Sequence, residues 1–126
     1  MGHAAKKMAG AENSVSADSR LADVVTRLYE ALARQPGGKI RHARTAKLLK
    51  AGLIKMSQKL VEEAAEVAID AVREKRGGVI NESADLLYHL VVLWYASGIS
   101  PAEIAAEMSR REQLFGLAEK LPKAPS

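Results

Sequence analysis

The sequence predicts an all-α fold of four to five helices in one domain. Apolar residues recur at the three- and four-residue spacing of a helix surface, and no segment shows the alternation typical of a strand. Only five of the 126 residues are aromatic, so the core must be aliphatic, which favours helices or parallel strands. A chain of this length holds one domain with a core of its own.

We expect this domain over residues 18–120, between a disordered tail at residues 1–17 and a flexible tail at 121–126. Asp18 or Ser19 is the expected N-cap of the first helix. The apolar positions of that helix are Leu21, Val24, Val25, Leu28 and Leu32.

The sequence QPGG at residues 35–38 is expected to end the first helix. A short basic segment follows at residues 41–51, and Gly52 closes it. The last helix is expected to begin at Ser100, which is followed by Pro101 and Glu103, as in a capping box, and to reach about residue 111.

Between these segments, the pattern predicts a long central helix over residues 54–75 and a second long helix over residues 79–96. Gly77 and Gly78 form the expected connection, and Gly98 is the expected stop. Because the connection is short, the two helices are expected to be antiparallel neighbours.

Charge is distributed unevenly along the chain, whose formal net charge is +4. Residues 31–61 contain no acidic residue. The basic residues in that stretch are Arg34, Lys39, Arg41, Arg44, Lys47, Lys50, Lys55 and Lys59. This block suits an anionic ligand, either a nucleotide or a nucleic acid, and an ordinary solvated basic surface is the alternative.

Two classes of protein are excluded or disfavoured by composition. The chain has no cysteine, which excludes disulfides and thiolate metal sites. Its longest apolar stretch, residues 86–99, is shorter than the roughly 20 residues that span a bilayer, and His89 interrupts it. No signal peptide is evident, so we expect a cytoplasmic protein without a membrane partner.

Carboxylates on the two long helices are the strongest functional signal. Glu62, Glu63 and Glu66 form an EExxE sequence, and Glu82 and Asp85 form ExxD. Taken alone, EExxE is also typical of the solvated stripe of an amphipathic helix. The second long helix, however, is apolar on nearly every side and should be buried.

After Asn81, the carboxylate and imidazole side chains of that buried helix are Glu82, Asp85 and His89, which fall within an arc of about 60°. This stripe should face the charged stripe of the central helix. Carboxylates brought together in this way need a cation or protons. Their oxygen ligands suit Mg²⁺, Mn²⁺ or Ca²⁺, and the absence of Glu-x-x-His disfavours a di-iron site.

Two other residues have alternative interpretations. His89 could hydrogen-bond a metal-binding carboxylate, or it could be a buried histidine bonded to a backbone carbonyl. Trp94 suits the core or an interface, and base stacking is the alternative.

The segments KLVEEAAE at residues 59–66 and ESADLLYHLVVL at 82–93 resemble the phosphoribosyl-ATP pyrophosphohydrolases of histidine biosynthesis. These enzymes belong to the MazG-like all-α nucleotide pyrophosphohydrolases. The resemblance runs from about residue 21 to 120 and includes RRE at 110–112 and GLAEK at 116–120.

The resemblance implies Mg²⁺-dependent hydrolysis, with Mn²⁺ as the alternative ion, of phosphoribosyl-ATP to phosphoribosyl-AMP and pyrophosphate. This is the second step of histidine biosynthesis. It also implies a bundle completed by dimerisation, as a homodimer or a dimer of dimers, which suits a second long helix with so much apolar surface.

The resemblance implies roles for residues that match the family pattern. The implied metal ligands are Glu63, Glu66, Glu82 and Asp85. Glu62 and Glu63 are the expected catalytic residues, with Glu62 orienting or deprotonating the attacking water. Lys55 and Lys59 are expected to contact the polyphosphate.

Two segments depart from the family pattern. Residues 43–45 are Ala-Arg-Thr where the family has Ser-aromatic-Thr, and Val61 replaces a glycine. The alternatives are therefore a paralogue acting on another nucleoside triphosphate, an inactive relative, or a helical dimer that binds nucleic acid through its basic stretch. The last alternative is the one we least expect.

Overall fold

The computed structural model describes residues 19–34 and 43–115, which form five α-helices and no strand. The helices are α1 (Leu21–Ala33), α2 (Ala43–Ala51), α3 (Leu53–Val72), α4 (Arg76–Ala96) and α5 (Pro101–Phe115). The predicted all-α class is confirmed. Both predicted tails and the predicted turn at residues 35–38 lie outside the described residues.

Helices α3 and α4 form the most extensive helix pair, and α1 and α2 pack against this hairpin. Near the turn, Asp70 of α3 lies against Gly78 of α4. Farther away, Glu63 lies close to His89. Partners that move backward along α3 as they move forward along α4 define an antiparallel pair, as the short connection predicted.

The core lies where α1, α3 and α4 meet. Among the described residues, its buried apolar side chains are Leu32, Met56, Val91 and Val92, of which the two valines are fully buried. Tyr29 and Tyr95 pack edge to face at its margin, with ring centroids 6.0 Å apart. Trp94 is half-buried against the same core, in agreement with the first of its two interpretations.

The turn between α3 and α4 differs from the prediction. Helix α3 ends at Val72, and Gly77 and Gly78 lie inside the first turn of α4 instead of forming the connection. Glu74 takes the left-handed conformation, with φ of 57°. Its amide donates to the Ala71 carbonyl, and the Lys75 amide donates to Asp70, which is the Schellman pattern. A glutamate therefore fills the position at which glycine was expected.

The end of α4 follows the predicted rule. Gly98 has φ of 72°, its amide donates to the Tyr95 carbonyl, and the Ile99 amide donates to Trp94. Glycine adopts this conformation without the steric cost that a Cβ brings. This second Schellman pattern confirms Gly98 as the stop.

The capping box of α5 is also confirmed. The Ser100 amide donates to Glu103 Oε2 at 2.8 Å, and the Glu103 amide donates to Ser100 Oγ at 3.4 Å. The helix continues to Phe115, beyond the predicted residue 111.

The N-cap prediction for the first helix is wrong for Ser19, and Asp18 lies outside the described residues. Arg20 is the N-cap: its backbone is extended, and its carbonyl accepts from the Val24 amide at 3.0 Å. The helix therefore begins later than expected and has no side-chain cap at Arg20.

A surface of exposed apolar side chains follows α3. Its members are Leu53, Ile54, Val61, Ile69 and Val72. The sequence had placed the excess apolar surface on the following helix, but most apolar side chains of α4 are half-buried or buried by the helices around it. Within the described residues, no helix is long and apolar enough to cross a lipid bilayer.

The two glycines of α4 provide a test of how closely α4 packs against α3 near the turn. An added Cβ at Gly77 would meet nothing within 4 Å, whereas at Gly78 it would overlap the Asp70 carboxylate. Gly77→Ala is therefore expected to raise the free energy of unfolding by up to about 1 kcal/mol, because alanine favours helix. Gly78→Ala should be at least about 1 kcal/mol less stable than Gly77→Ala in urea denaturation, because Asp70 must move.

Combining Asp70→Ala with Gly78→Ala should recover much of the stability that Gly78→Ala lacks relative to Gly77→Ala, because the overlapping carboxylate is removed. Equal gains from the two single alanine variants would show that α4 does not approach Asp70 closely.

Candidate active site

The antiparallel pairing of α3 and α4 brings three predicted carboxylates together. Glu63, Glu66 and Glu82 each offer an oxygen, and these oxygens all lie within 4.8 Å of one another. The Glu63 side chain is only 14% exposed, while Glu82 is half-buried and Glu66 is exposed. We call these three residues the carboxylate cluster.

Proximity changes the protonation of the cluster. The pKa of Glu82 is raised to about 7, chiefly because its carboxyl shares hydrogen bonds with Glu66 and then Glu63, with desolvation adding to the effect. Near neutral pH the cluster therefore tends to retain a proton between its members. A divalent cation can replace that proton as the group that offsets the repulsion.

One cluster oxygen lacks any partner. Glu63 Oε2 is buried and has no hydrogen-bond donor among the described residues. A buried carboxylate oxygen left unpaired is costly, so its environment suits a cation. Together with three convergent oxygen donors, this oxygen makes the donor set one that fits Mg²⁺ or Mn²⁺.

Two predicted residues lie outside the cluster. Asp85 is half-buried one turn after Glu82, and its charge acts on the pKa of His89. The Glu62 side chain is 61% exposed, and its Oε2 lies 3.5 Å from Lys59 Nζ. The cluster as observed thus contains three of the four predicted metal ligands and does not contain Glu62.

His89 is buried beside the cluster, with 4% exposure. Its Nε2 lies 3.9 Å from Glu63 Oε1, which is too far for a hydrogen bond. Neither ring nitrogen has a hydrogen-bond partner in the described part of the chain, so neither expected bond is formed. Desolvation by burial lowers the pKa of His89 and outweighs the opposing effect of Glu63, which favours the neutral ring.

A second feature adjoins the cluster, a pocket of about 250 Å³ between α2, α3 and α4. Its basic lining residues are Arg44, Lys47, Lys55 and Lys59. Glu63 and His89 also line it, so the pocket and the carboxylate cluster share Glu63. We call this cavity the basic pocket.

Arg44 and Lys47 were not among the predicted site residues. The sequence did contain an indication of their role. Both residues belong to the stretch without acidic residues, and their spacing puts them on one face of α2. The sequence did not reveal that this face of α2 lies beside the carboxylates.

Contacts between α2 and α4 position the side of the basic pocket that α2 supplies. Thr45 is buried and shares a hydrogen bond with the Tyr88 hydroxyl. The Arg44 guanidinium carbon lies 5.9 Å from the centroid of the Tyr88 ring, within the range of a cation–π contact. Tyr88 in turn packs edge to face on His89, at 5.1 Å between centroids.

A larger depression of about 610 Å³ lies elsewhere on α3. Leu53, Ile54 and Val61 supply much of its lining, and Glu62 is the predicted site residue that borders it. Among the described residues, neither the clustered carboxylates nor the basic side chains line this depression, so the smaller pocket is the candidate site.

The site combines oxygen ligands for a divalent cation with an adjoining set of cations for an anion. This pairing suits a substrate with several phosphates, whose charge both parts can bind.

Comparisons with known proteins agree with this chemistry. A sequence model described as phosphoribosyl-ATP pyrophosphohydrolase matches residues 25–112. The chain is 52% identical over 104 residues to phosphoribosyl-ATP pyrophosphatase 2 of Rhodopseudomonas palustris, covering 82% of this chain and 79% of the relative.

Two further relatives have similar names. The identity is 47% to phosphoribosyl-ATP pyrophosphatase 2 of Bradyrhizobium diazoefficiens, over 82% of this chain and 78% of the relative. It is 48% to phosphoribosyl-ATP pyrophosphatase of Parvibaculum lavamentivorans, over 79% of this chain and 91% of the relative. The chain therefore belongs to the phosphoribosyl-ATP pyrophosphohydrolase family.

Proposed function

We propose that this chain is an enzyme that hydrolyses phosphoribosyl-ATP to phosphoribosyl-AMP and pyrophosphate, in the second step of histidine biosynthesis. The names of relatives that match most of the chain support this substrate. The observation that carries the proposal is the convergence of Glu63, Glu66 and Glu82 within 4.8 Å in a member of this family.

In this proposal Glu63, Glu66 and Glu82, together with Asp85, hold Mg²⁺, with Mn²⁺ as the alternative. A divalent cation bound there would offset charge on the phosphates and favour ionisation of a nearby water. The rigid helices fix the carboxylates before substrate arrives, so little reorganisation is needed. The proton that the raised pKa of Glu82 retains would leave when the cation binds.

Lys55 and Lys59 line the basic pocket and are the proposed contacts to the polyphosphate. The bridging P–O bond between the α and β phosphates breaks. The oxygen of water bonds to one phosphorus, the former bridging oxygen stays on the other phosphate, and a proton passes to a base. Glu62 is the proposed base or orienting group, and its pairing with Lys59 ties it to the rim of the pocket.

We further propose that the chain assembles as a homodimer, or as a dimer of dimers, through the apolar surface of α3. Ile54 is 80% exposed and Val61 is 67% exposed, which leaves large aliphatic side chains in water. A second copy of the chain would bury them. A cytoplasmic location stays a prediction from the sequence.

The central proposal predicts that Glu63→Gln lowers kcat/KM for pyrophosphate release from phosphoribosyl-ATP by about 100-fold or more, because one electrostatic contact to the reacting centre is lost. Asp85→Asn should act in the same direction. Glu30→Gln is the matched control, since Glu30 pairs with Arg34 on the surface of α1, and its activity should equal that of the wild type.

Circular dichroism should show the same helix content in all three variants. Common nucleoside triphosphates assayed beside phosphoribosyl-ATP identify the substrate. Full activity of Glu63→Gln would contradict the proposed site, and preference for another triphosphate would favour the paralogue.

The proposed assembly predicts that Ile54→Glu converts the oligomer to monomer, because burying a carboxylate in an apolar interface is costly. Light scattering coupled to size-exclusion chromatography measures the mass. Met108→Glu on α5, which replaces a 47% exposed side chain, is the matched control and should leave the mass unchanged. A wild-type chain that is monomeric at all concentrations would contradict the proposal.

A further inference from the structure

Among the described residues, four basic side chains line the basic pocket against one lining carboxylate, that of Glu63. Of its four cations, Lys59 alone lies within ion-pair distance of a carboxylate in the described ranges, and that carboxylate belongs to the exposed Glu62. Arg44, Lys47 and Lys55 converge on the same cavity without such a partner among described residues. Like charges gathered around one cavity favour an anionic occupant.

His89 is a second and independent indication of a ligand. Its ring is buried and lines the pocket, yet both nitrogens lack a hydrogen-bond partner among the residues described. Buried polar groups are nearly always paired, and leaving one unpaired is costly. A phosphate oxygen in the pocket would accept a hydrogen bond from the ring.

The size and lining of the pocket select one part of the substrate. About 250 Å³ is less than the roughly 300–1,000 Å³ of a pocket for a drug-sized ligand, so the pocket suits a fragment of phosphoribosyl-ATP. Among the described residues, its apolar lining comes from Leu48, Ala51 and the stems of the basic side chains. Among the described residues that line it, there is no tyrosine or tryptophan to stack on a base, which disfavours the nucleoside.

Glu63 links the basic pocket to the proposed cation site. Glu63 belongs to the carboxylate cluster and also lines the basic pocket, so a group in the pocket lies next to the proposed cation site. If the bridging oxygen between the α and β phosphates lies at the cluster, one side of the substrate reaches the pocket, and the basic lining favours the side that carries the β and γ phosphates. Those phosphates become the leaving group.

We propose that the basic pocket binds the β- and γ-phosphates of the substrate and holds inorganic pyrophosphate after cleavage, with Arg44 and Lys47 as phosphate-binding residues. This inference rests on the proposed function. Arg44 is held for this task by its contact with Tyr88, whose hydroxyl is bonded to Thr45. Its planar guanidinium can contact two phosphate oxygens at once.

Titration calorimetry of the full chain with inorganic pyrophosphate in the presence of Mg²⁺ tests the proposal. Arg44→Gln and Lys47→Gln should each weaken pyrophosphate binding by about tenfold or more, since each removes a charge-assisted contact. Arg44→Lys should lose less than Arg44→Gln. Lys50→Gln removes an exposed charge from α2 outside the pocket and should change binding by less than about twofold.

The same variants titrated with AMP and with ribose 5-phosphate identify the occupant. Losses confined to pyrophosphate support the proposal. Equal or larger losses for AMP or ribose 5-phosphate would overturn it, because the pocket would then hold the retained end of the substrate. Unchanged pyrophosphate binding in both glutamine variants would also overturn it.

These titrations do not need turnover, so the two proposals fail separately. A wild-type chain that does not cleave phosphoribosyl-ATP but loses pyrophosphate binding in the pocket variants would refute the substrate and keep the pocket. A chain that cleaves phosphoribosyl-ATP while the pocket variants bind pyrophosphate normally would refute the pocket alone.

Discussion

The close approach of three carboxylates across the α3–α4 hairpin is the constraint on which the site depends. Glu63 and Glu66 on one helix and Glu82 on the other would separate if packing did not hold the helices together. Burial of apolar side chains on the core side of the pair, Met56 and the Val91–Val92 segment, holds the two helices together against the repulsion between the carboxylates. A cation bound at the proposed site would relieve the repulsion and favour the folded pairing, which would couple the stability of the hairpin to binding.

The two parts of the site have opposite charge and share one residue. The carboxylate cluster is acidic and suits a cation, while the basic pocket is positive and suits phosphate. Glu63 lies at their junction and belongs to both. A polyphosphate with a bound cation matches this arrangement more closely than either a bare anion or a bare cation does. In the proposed function, this match would let a small all-α domain bind a highly charged substrate.

Much of this arrangement could be predicted from the sequence, because helical periodicity fixes which side chains share a face. The stripe of Glu82, Asp85 and His89 on an otherwise apolar helix predicted the convergence on α3. The turn could not be predicted in detail, because Glu74 adopts the left-handed conformation that Gly98 adopts elsewhere. Arg44 and Lys47 were missed because their proposed role depends on how α2 packs against α4. That packing includes the hydrogen bond between Thr45 and Tyr88, which are far apart in the sequence.

The most direct test of the central claim is a crystal structure of the chain grown with Mn²⁺, with anomalous scattering used to locate the ion. We expect an anomalous peak among the carboxylates of Glu63, Glu66 and Glu82, with their oxygens as its ligands. A Mn²⁺ peak bound only at other residues, or three carboxylates turned apart into solvent with no ion between them, would contradict the account.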